Sequence, residues 1–171
     1  MSRILGCSSP EIATTASLSV NLSMLLSMFY TPTPKSYKIL MEKNAFPSDH
    51  YVIQSHIEVM LRDCPELLLG PDGSLRMHSD FISFINGKDP FSIQDDTDLS
   101  LYDMDDICEQ IMSDASIALV VLPGVQYLTG QVFDIQKITL AAHCQVRRAL
   151  CDALVYLSQY LCFRASKLDG I

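Results

Sequence analysis

The sequence is poor in positive charge. It has 12 Lys and Arg residues against 20 Asp and Glu in 171 positions, for a formal net charge of −8. The isoelectric point lies near 4.7. A nucleic-acid-binding surface needs clustered Lys and Arg, so this balance argues against such a partner.

The sequence also lacks a long apolar run. The longest apolar stretches are Leu18 to Tyr30 and Ile117 to Val125. Both are shorter than the ~20 apolar residues that cross a bilayer. Residues Met1 to Gly6 carry one cation and no apolar core, which is untypical of a signal peptide. We therefore expect a cytoplasmic protein with no membrane partner.

Metal-binding patterns are missing as well. None of the six cysteines forms a Cys-x-x-Cys pair or stands at zinc-finger spacing from a histidine. Reduced, buried thiols are the better expectation. The acids from Asp95 to Asp114 do not follow the calcium-loop pattern. We interpret them as a solvated face that complements the dipole of a helix over Asp103 to Met112, and predict no metal site.

What the sequence does contain is an alternation of helices and strands. Half of it is apolar and a fifth is charged, as in a globular core. Cap and periodicity signals predict these elements: a helix capped by Ser17, a strand over Tyr37 to Asn44, a helix over about Asp49 to Asp63, a strand over Ser116 to Leu122, and a helix capped by Asp134. This order predicts an α/β layered fold with a mostly parallel sheet and functional loops at the strand C-termini.

The junction at Phe46-Pro47-Ser48-Asp49 stands out. Phe46 precedes a proline and so favours extended geometry, whereas Ser48 and Asp49 are cap formers. A strand that brings an aromatic ring, an acid and a helix N-terminus together is typical of cofactor sites in open α/β sheets. An ordinary strand-to-helix turn is the alternative.

Three blocks of sequence resemble the kynureninase family. They are Leu18-Ser19-Val20-Asn21-Leu22, the stretch from Tyr37-Lys38-Ile39-Leu40 to Phe46-Pro47-Ser48-Asp49-His50-Tyr51, and Gly124-Val125-Gln126-Tyr127-Leu128-Thr129-Gly130-Gln131. The family belongs to the fold-type-I, class-V aminotransferase-like enzymes that use pyridoxal 5′-phosphate. The resemblance implies hydrolysis of L-kynurenine or 3-hydroxykynurenine to anthranilate or 3-hydroxyanthranilate plus L-alanine. That reaction serves tryptophan catabolism and NAD biosynthesis, and the family is homodimeric.

The resemblance also implies roles for individual residues. It places the coenzyme phosphate at Leu18 and Ser19, and the pyridine ring beside Phe46. Asp49 would lie near the ring nitrogen, with Pro47 and Ser48 shaping the loop. Core packing of Phe46 and helix capping by Asp49 are the structural alternatives.

The similarity runs from roughly Ser9 to Gln145 and then ends. Residues 1–145 are therefore predicted to be part of the pyridoxal-phosphate-binding large domain, and residues 146–171 a non-matching, helical tail. No lysine matches the one that forms the Schiff base, and Lys167 lacks its aromatic neighbour. The chain is thus expected to be an inactive fragment of a kynureninase. A non-catalytic fragment that binds full-length subunits is the alternative, and a relative of the cysteine desulfurases is a weaker one.

Overall fold

The computed structural model describes residues 12–14, 16–85, 101–144, 148–152 and 160–162, with side chains for 16–85 and 101–144. The acids Asp95, Asp96 and Asp98, the end of the family match at Gln145, and Lys167 lie outside the described residues. Within the described helices, none is long and apolar enough to cross a membrane.

Six strands and four α-helices make up the described fold. In chain order they are β1 (Ile12–Thr14), α1 (Leu18–Phe29), β2 (Lys38–Met41), α2 (Pro47–Asp63), β3 (Ile82–Phe84), α3 (Met104–Ser113), β4 (Ile117–Pro123), α4 (Ile135–Cys144), β5 (Arg148–Asp152) and β6 (Tyr160–Cys162). Two 3₁₀ helices, Pro65–Leu68 and His78–Phe81, lie between α2 and β3.

The principal sheet has four strands in the order β3-β2-β4-β5. Each neighbouring pair is parallel. The remaining strands, β1 and β6, form a separate antiparallel pair. A parallel sheet with helices on its faces confirms the predicted α/β layered class.

Side chains of β2 and β4 alternate between two hydrophobic cores, because successive residues of a strand point to opposite faces. Ile39 and Leu119 pack on the first face, together with residues of α1 and α2. Leu40 and Val120 pack on the second face, with residues of α3 and α4. The sheet is therefore the middle layer of an α/β/α sandwich.

The helices that follow the adjacent strands β2 and β4 lie on opposite faces of the sheet. Helix α2, which follows β2, covers the first face, whereas α4, which follows β4, covers the second. The loops that leave these adjacent strands therefore separate at their carboxyl ends. In open α/β sheets this point forms a crevice in which ligands bind.

Several sequence-based boundaries need correction. The strand predicted over Tyr37 to Asn44 is confined to β2, and the helix predicted from about Asp49 already begins at Pro47. Pro47 fits there because the first turn of a helix needs no N–H donor from it. The two caps differ: Asp134 accepts a hydrogen bond from the Lys137 N–H, but Ser17 makes no side-chain cap.

The prediction of a helical tail over residues 146–171 is wrong for two stretches. Arg148–Asp152 is a strand, with Ala149 in register with Val120 of β4, and Tyr160–Cys162 pairs with β1. The backbone of β5 forms hydrogen bonds with the edge of β4. This pairing joins residues that are far apart in sequence, so the local spacing of apolar residues could not predict it.

Candidate functional site

The N-terminus of α2 lies at the carboxyl edge of the sheet. Helix α2 begins at Pro47, shortly after β2 ends at Met41. At the opposite end of α1, the Tyr30 hydroxyl donates a hydrogen bond of 2.5 Å to the carbonyl oxygen of Tyr37, just before β2. Helix α1 extends ~18 Å away from that point. Its first turn contains Leu18 and Ser19.

Phe46 and Tyr127 form an aromatic wall at the β2–β4 crevice. Their ring centroids are 5.3 Å apart with an interplanar angle of 71°, an edge-to-face contact. The side chains remain 52% and 41% exposed, respectively. The core-packing alternative for Phe46 is therefore excluded, and the pair presents aromatic surface that a flat ligand could cover.

Buried Gln126 organises the loop that carries Tyr127. Its side-chain oxygen accepts hydrogen bonds from the N–H groups of Leu128 and Thr129, at 2.6 and 2.8 Å. Its Nε2 donates to the carbonyl oxygen of Asn44, at 3.3 Å. Gln126 thus ties the loop after β4 to the loop after β2. The loop closes at Gly130, whose φ of 72° favours glycine.

Glu42, the first residue after β2, is a buried acid. It is 1% exposed, and its Oε2 is the buried side-chain oxygen without a hydrogen-bond partner in the described part of the chain. Burial raises the pKa of Glu42 to about 7; a side-chain hydrogen bond from Gln126 opposes that rise, and the charge of Asp49 adds to it.

Asp49 lies half-buried in the first turn of α2. The Ser48 hydroxyl donates a 3.1 Å hydrogen bond to its Oδ1. Burial raises the pKa of Asp49, while this hydrogen bond and the charge of neighbouring His50 lower it. Phe46 is the N-cap residue of α2, and its side chain makes no hydrogen bond that caps the helix. The Asp49 N–H donates a 2.9 Å hydrogen bond to the carbonyl oxygen of Phe46, so this acid belongs to the same corner as the aromatic residue.

Four of the six residues that the sequence predicts for cofactor binding lie together at the start of α2. Phe46, Pro47, Ser48 and Asp49 form one continuous corner, and Leu18 and Ser19 form the first turn of α1. The prediction did not include Glu42, Gln126 or Tyr127. The available signal for Glu42 was an acid placed directly after an apolar strand.

A cavity of about 360 Å³ opens beside the aromatic wall. Its lining includes Lys43, His50, Tyr51, Tyr127 and Leu128. The His50 Nε2 lies 3.2 Å from the carbonyl oxygen of Lys43, which ties α2 to the loop after β2. The lining combines aromatic rings with cationic and polar groups, as small-molecule sites do.

Comparison with solved structures identifies the class of fold. A cysteine desulfurase from Thermococcus onnurineus, described as an apo structure, matches with a TM-score of 0.57 at 17% identity, covering 89% of this chain and 30% of that one. A C-DES variant with glycine covalently linked to its PLP cofactor matches at 0.55 and 13% identity, covering 88% and 33%. The chain therefore has part of the large-domain fold of the fold-type-I enzymes.

The relatives in sequence are kynureninases. Kynureninase 2 of Aspergillus clavatus is 43% identical over 141 residues, which are 81% of this chain and 25% of the relative. Kynureninase 2 of Aspergillus oryzae is 40% identical, over 83% of this chain and 26% of the relative. The kynureninase of Rattus norvegicus is 38% identical, over 85% and 27%. The predicted resemblance is confirmed.

The chain spans about a quarter of the length of these curated relatives. No protein-family model matches it.

Proposed function

We propose that this chain forms the phosphate-binding and ring-wall part of a pyridoxal-phosphate-dependent kynureninase. The whole enzyme would hydrolyse L-kynurenine or 3-hydroxykynurenine to anthranilate or 3-hydroxyanthranilate plus L-alanine, in the cytoplasm and as a homodimer. The observation that carries the proposal is the exposed Phe46–Tyr127 wall with Asp49 beside it, in a chain whose relatives are kynureninases.

The residues at the edge fit the chemistry of this cofactor. The first turn of α1 contains no acid, and the side chain of Ser17 does not cap the N–H groups of that turn. Such a helix start is suited to a phosphate group. Phe46 and Tyr127 offer exposed aromatic surface for a pyridine ring, and Asp49 supplies a carboxylate next to them. When bound, pyridoxal phosphate supplies a ring that withdraws electrons from the substrate.

We propose the following roles for the chain's own residues. Leu18 and Ser19 would hold the phosphate through backbone N–H groups and the Ser19 hydroxyl. Phe46 would exclude water from one side of the ring. Asp49 would orient the ring and keep a proton on its nitrogen, because an adjacent carboxylate favours the charged form. We also propose that the chain is inactive by itself, since no lysine in it matches the one expected from the family.

Titration of the purified chain with pyridoxal 5′-phosphate tests this proposal. We expect saturable changes in absorbance, weakened by competing inorganic phosphate. F46A should weaken binding by about tenfold, the upper range for one aromatic contact. M28A is the control, because Met28 is exposed near the other end of α1.

Borohydride reduction then addresses catalysis. We expect no reduced cofactor adduct confined to a single lysine. Mapping such an adduct to one lysine would overturn the proposal that the chain lacks a catalytic lysine. Failure of the wild-type chain to bind the cofactor would contradict the proposed site itself and would favour the non-catalytic fragment.

A further inference from the structure

The cavity beside the aromatic wall has a lining that differs from the proposed cofactor site. It has a volume of about 360 Å³ and lies between the loop after β2, the start of α2 and the loop after β4. Of the six residues predicted for cofactor binding, only Pro47 belongs to its described lining. Phe46 is not part of that lining, but its ring contacts the ring of Tyr127, which is. The cavity can therefore take a ligand other than the cofactor.

Hydrogen bonds fix the three walls of the cavity relative to one another. Gln126 Nε2 donates to the carbonyl oxygen of Asn44 at 3.3 Å, which joins the loops after β4 and β2. His50 Nε2 lies 3.2 Å from the carbonyl oxygen of Lys43, which joins α2 to the loop after β2. Because a carbonyl oxygen can only accept, His50 donates through Nε2. These contacts preorganise the cavity, so a ligand that binds there has little to order.

The lining contains a cation and no acid, in a chain that is acidic as a whole. Lys43 and His50 contribute to it, and no Asp or Glu is among its described residues. The full sequence has 20 acids against 12 Lys and Arg. Asp49 precedes His50 in sequence, but its carboxylate accepts a hydrogen bond from Ser48 and is not part of the described lining. A cleft lined by one sign of charge attracts ligands of the opposite sign, so this cavity favours an anion.

Exposed aromatic and apolar side chains complete the lining. Tyr51 and Tyr127 are 70% and 41% exposed, and Leu128 is 51% exposed. Exposed aromatic rings bind other planar rings through offset or edge-to-face contacts. Small-molecule sites have volumes of ~300–1,000 Å³, and this cavity is near the lower limit. Its size therefore suits a ligand with a single ring.

We propose that this cavity binds a small aromatic carboxylate, with the carboxylate beside the Lys43 ammonium and the ring against Tyr51 and Tyr127. Asn44 and Gln54 add amide groups to the lining, and an amide can donate a hydrogen bond to the same anion. The inference goes beyond the proposed function, because Lys43 and Tyr51 have no part in cofactor binding. Tyr127 is the residue that the aromatic wall and the cavity share.

Titration of the full chain with benzoate, followed by amide-detected nuclear magnetic resonance, tests the proposal. We expect saturable shifts in the signals of Lys43, His50 and Tyr127. Benzamide, which is neutral, should bind about fivefold more weakly, the upper range for one exposed ion pair. Cyclohexanecarboxylate keeps the charge without the aromatic ring and should bind about threefold more weakly.

Either analogue binding as tightly as benzoate would overturn the assigned class of ligand. Shifts that do not saturate, or that lie away from the cavity, would overturn the site.

Matched substitutions locate the bound anion. K43Q should weaken benzoate binding by about fivefold. K35Q is the control, because Lys35 is an exposed lysine before β2 that is not part of the described lining. Y51A should weaken binding by about threefold, since Tyr51 is exposed and its removal leaves the core intact. An effect of K43Q no larger than that of K35Q, or unchanged binding by Y51A, would overturn the proposal.

Pyridoxal 5′-phosphate is itself an aromatic anion, so its competition with benzoate must be measured directly. Saturating cofactor should change benzoate affinity by less than about twofold, and K43Q should change cofactor affinity by less than about twofold. Competitive displacement of benzoate would show that the cavity belongs to the cofactor site and would overturn this inference. A chain that binds benzoate but no cofactor contradicts the proposed function and leaves the inference in place.

Discussion

Folding stability should fall as pH rises through the range in which Glu42 ionises, and E42Q should abolish that fall. The folded pKa of Glu42 is about 7, above its ordinary value of 4.5, because of burial. Between these values the folded chain retains a proton that the unfolded chain has released. A state that binds more protons is favoured at lower pH, so the free energy of unfolding decreases from about pH 4.5 to 7.

The magnitude follows from the same two values. Each pH unit between them is worth about 1.4 kcal/mol, which gives a total of about 3 kcal/mol for Glu42. E42Q has no ionisable group at this position, so its stability relative to wild type should increase by about this amount between pH 4.5 and 8. Because burial lowers the pKa of His56, that residue contributes with the opposite sign, but equally in both proteins.

Urea unfolding followed by circular dichroism at several pH values between 4.5 and 8 measures this difference. E58Q is the matched control, because Glu58 is an exposed glutamate on α2 and its substitution should give a curve parallel to that of the wild type. If the E42Q and wild-type curves also run parallel over the whole range, Glu42 is not a proton-holding group and the reasoning is refuted.

Three further predictions concern the contacts that support the site and the sheet. Q126L should destabilise the chain by about 2 kcal/mol in urea unfolding, because it leaves loop N–H groups buried without acceptors; an unchanged midpoint would contradict this. R76A should lower the free energy of unfolding by about 3 kcal/mol, and R76K should restore little of that loss. The reason is that buried Arg76 donates hydrogen bonds to the carbonyl oxygens of Leu67 and Pro34, and its guanidinium carbon lies 3.8 Å from the centre of the Tyr37 ring. Full recovery by lysine would refute the need for the guanidinium. L119A should lower the free energy of unfolding by about 3 kcal/mol, because Leu119 is fully buried in the sheet. M28A should change thermal stability little, because Met28 is exposed. Equal effects of the two substitutions would contradict the described core.

The local elements could be predicted because their signals lie within a few residues. The apolar run at Ile117 to Leu122 is β4, since a strand buried on both faces needs no polar alternation. The corner at Phe46 to Asp49 was predictable from a proline and two cap formers. The roles of Leu18, Ser19, Phe46 and Asp49 in cofactor binding remain predictions, because they came from family resemblance rather than from local pattern.

The order of helices and strands and the position of the strand-to-helix corner could be predicted from local sequence, because periodicity and capping act over one or two turns. Which loops share the crevice could not be predicted in this way, since strand order depends on pairing between distant segments. Tertiary structure also decided the burial of Glu42 and the contact of Gln126 with the loop after β2. The Gln126 side chain reaches Asn44 across 82 positions of sequence. A carboxyl pKa depends on such contacts and on exclusion of water, neither of which is encoded in neighbouring residues.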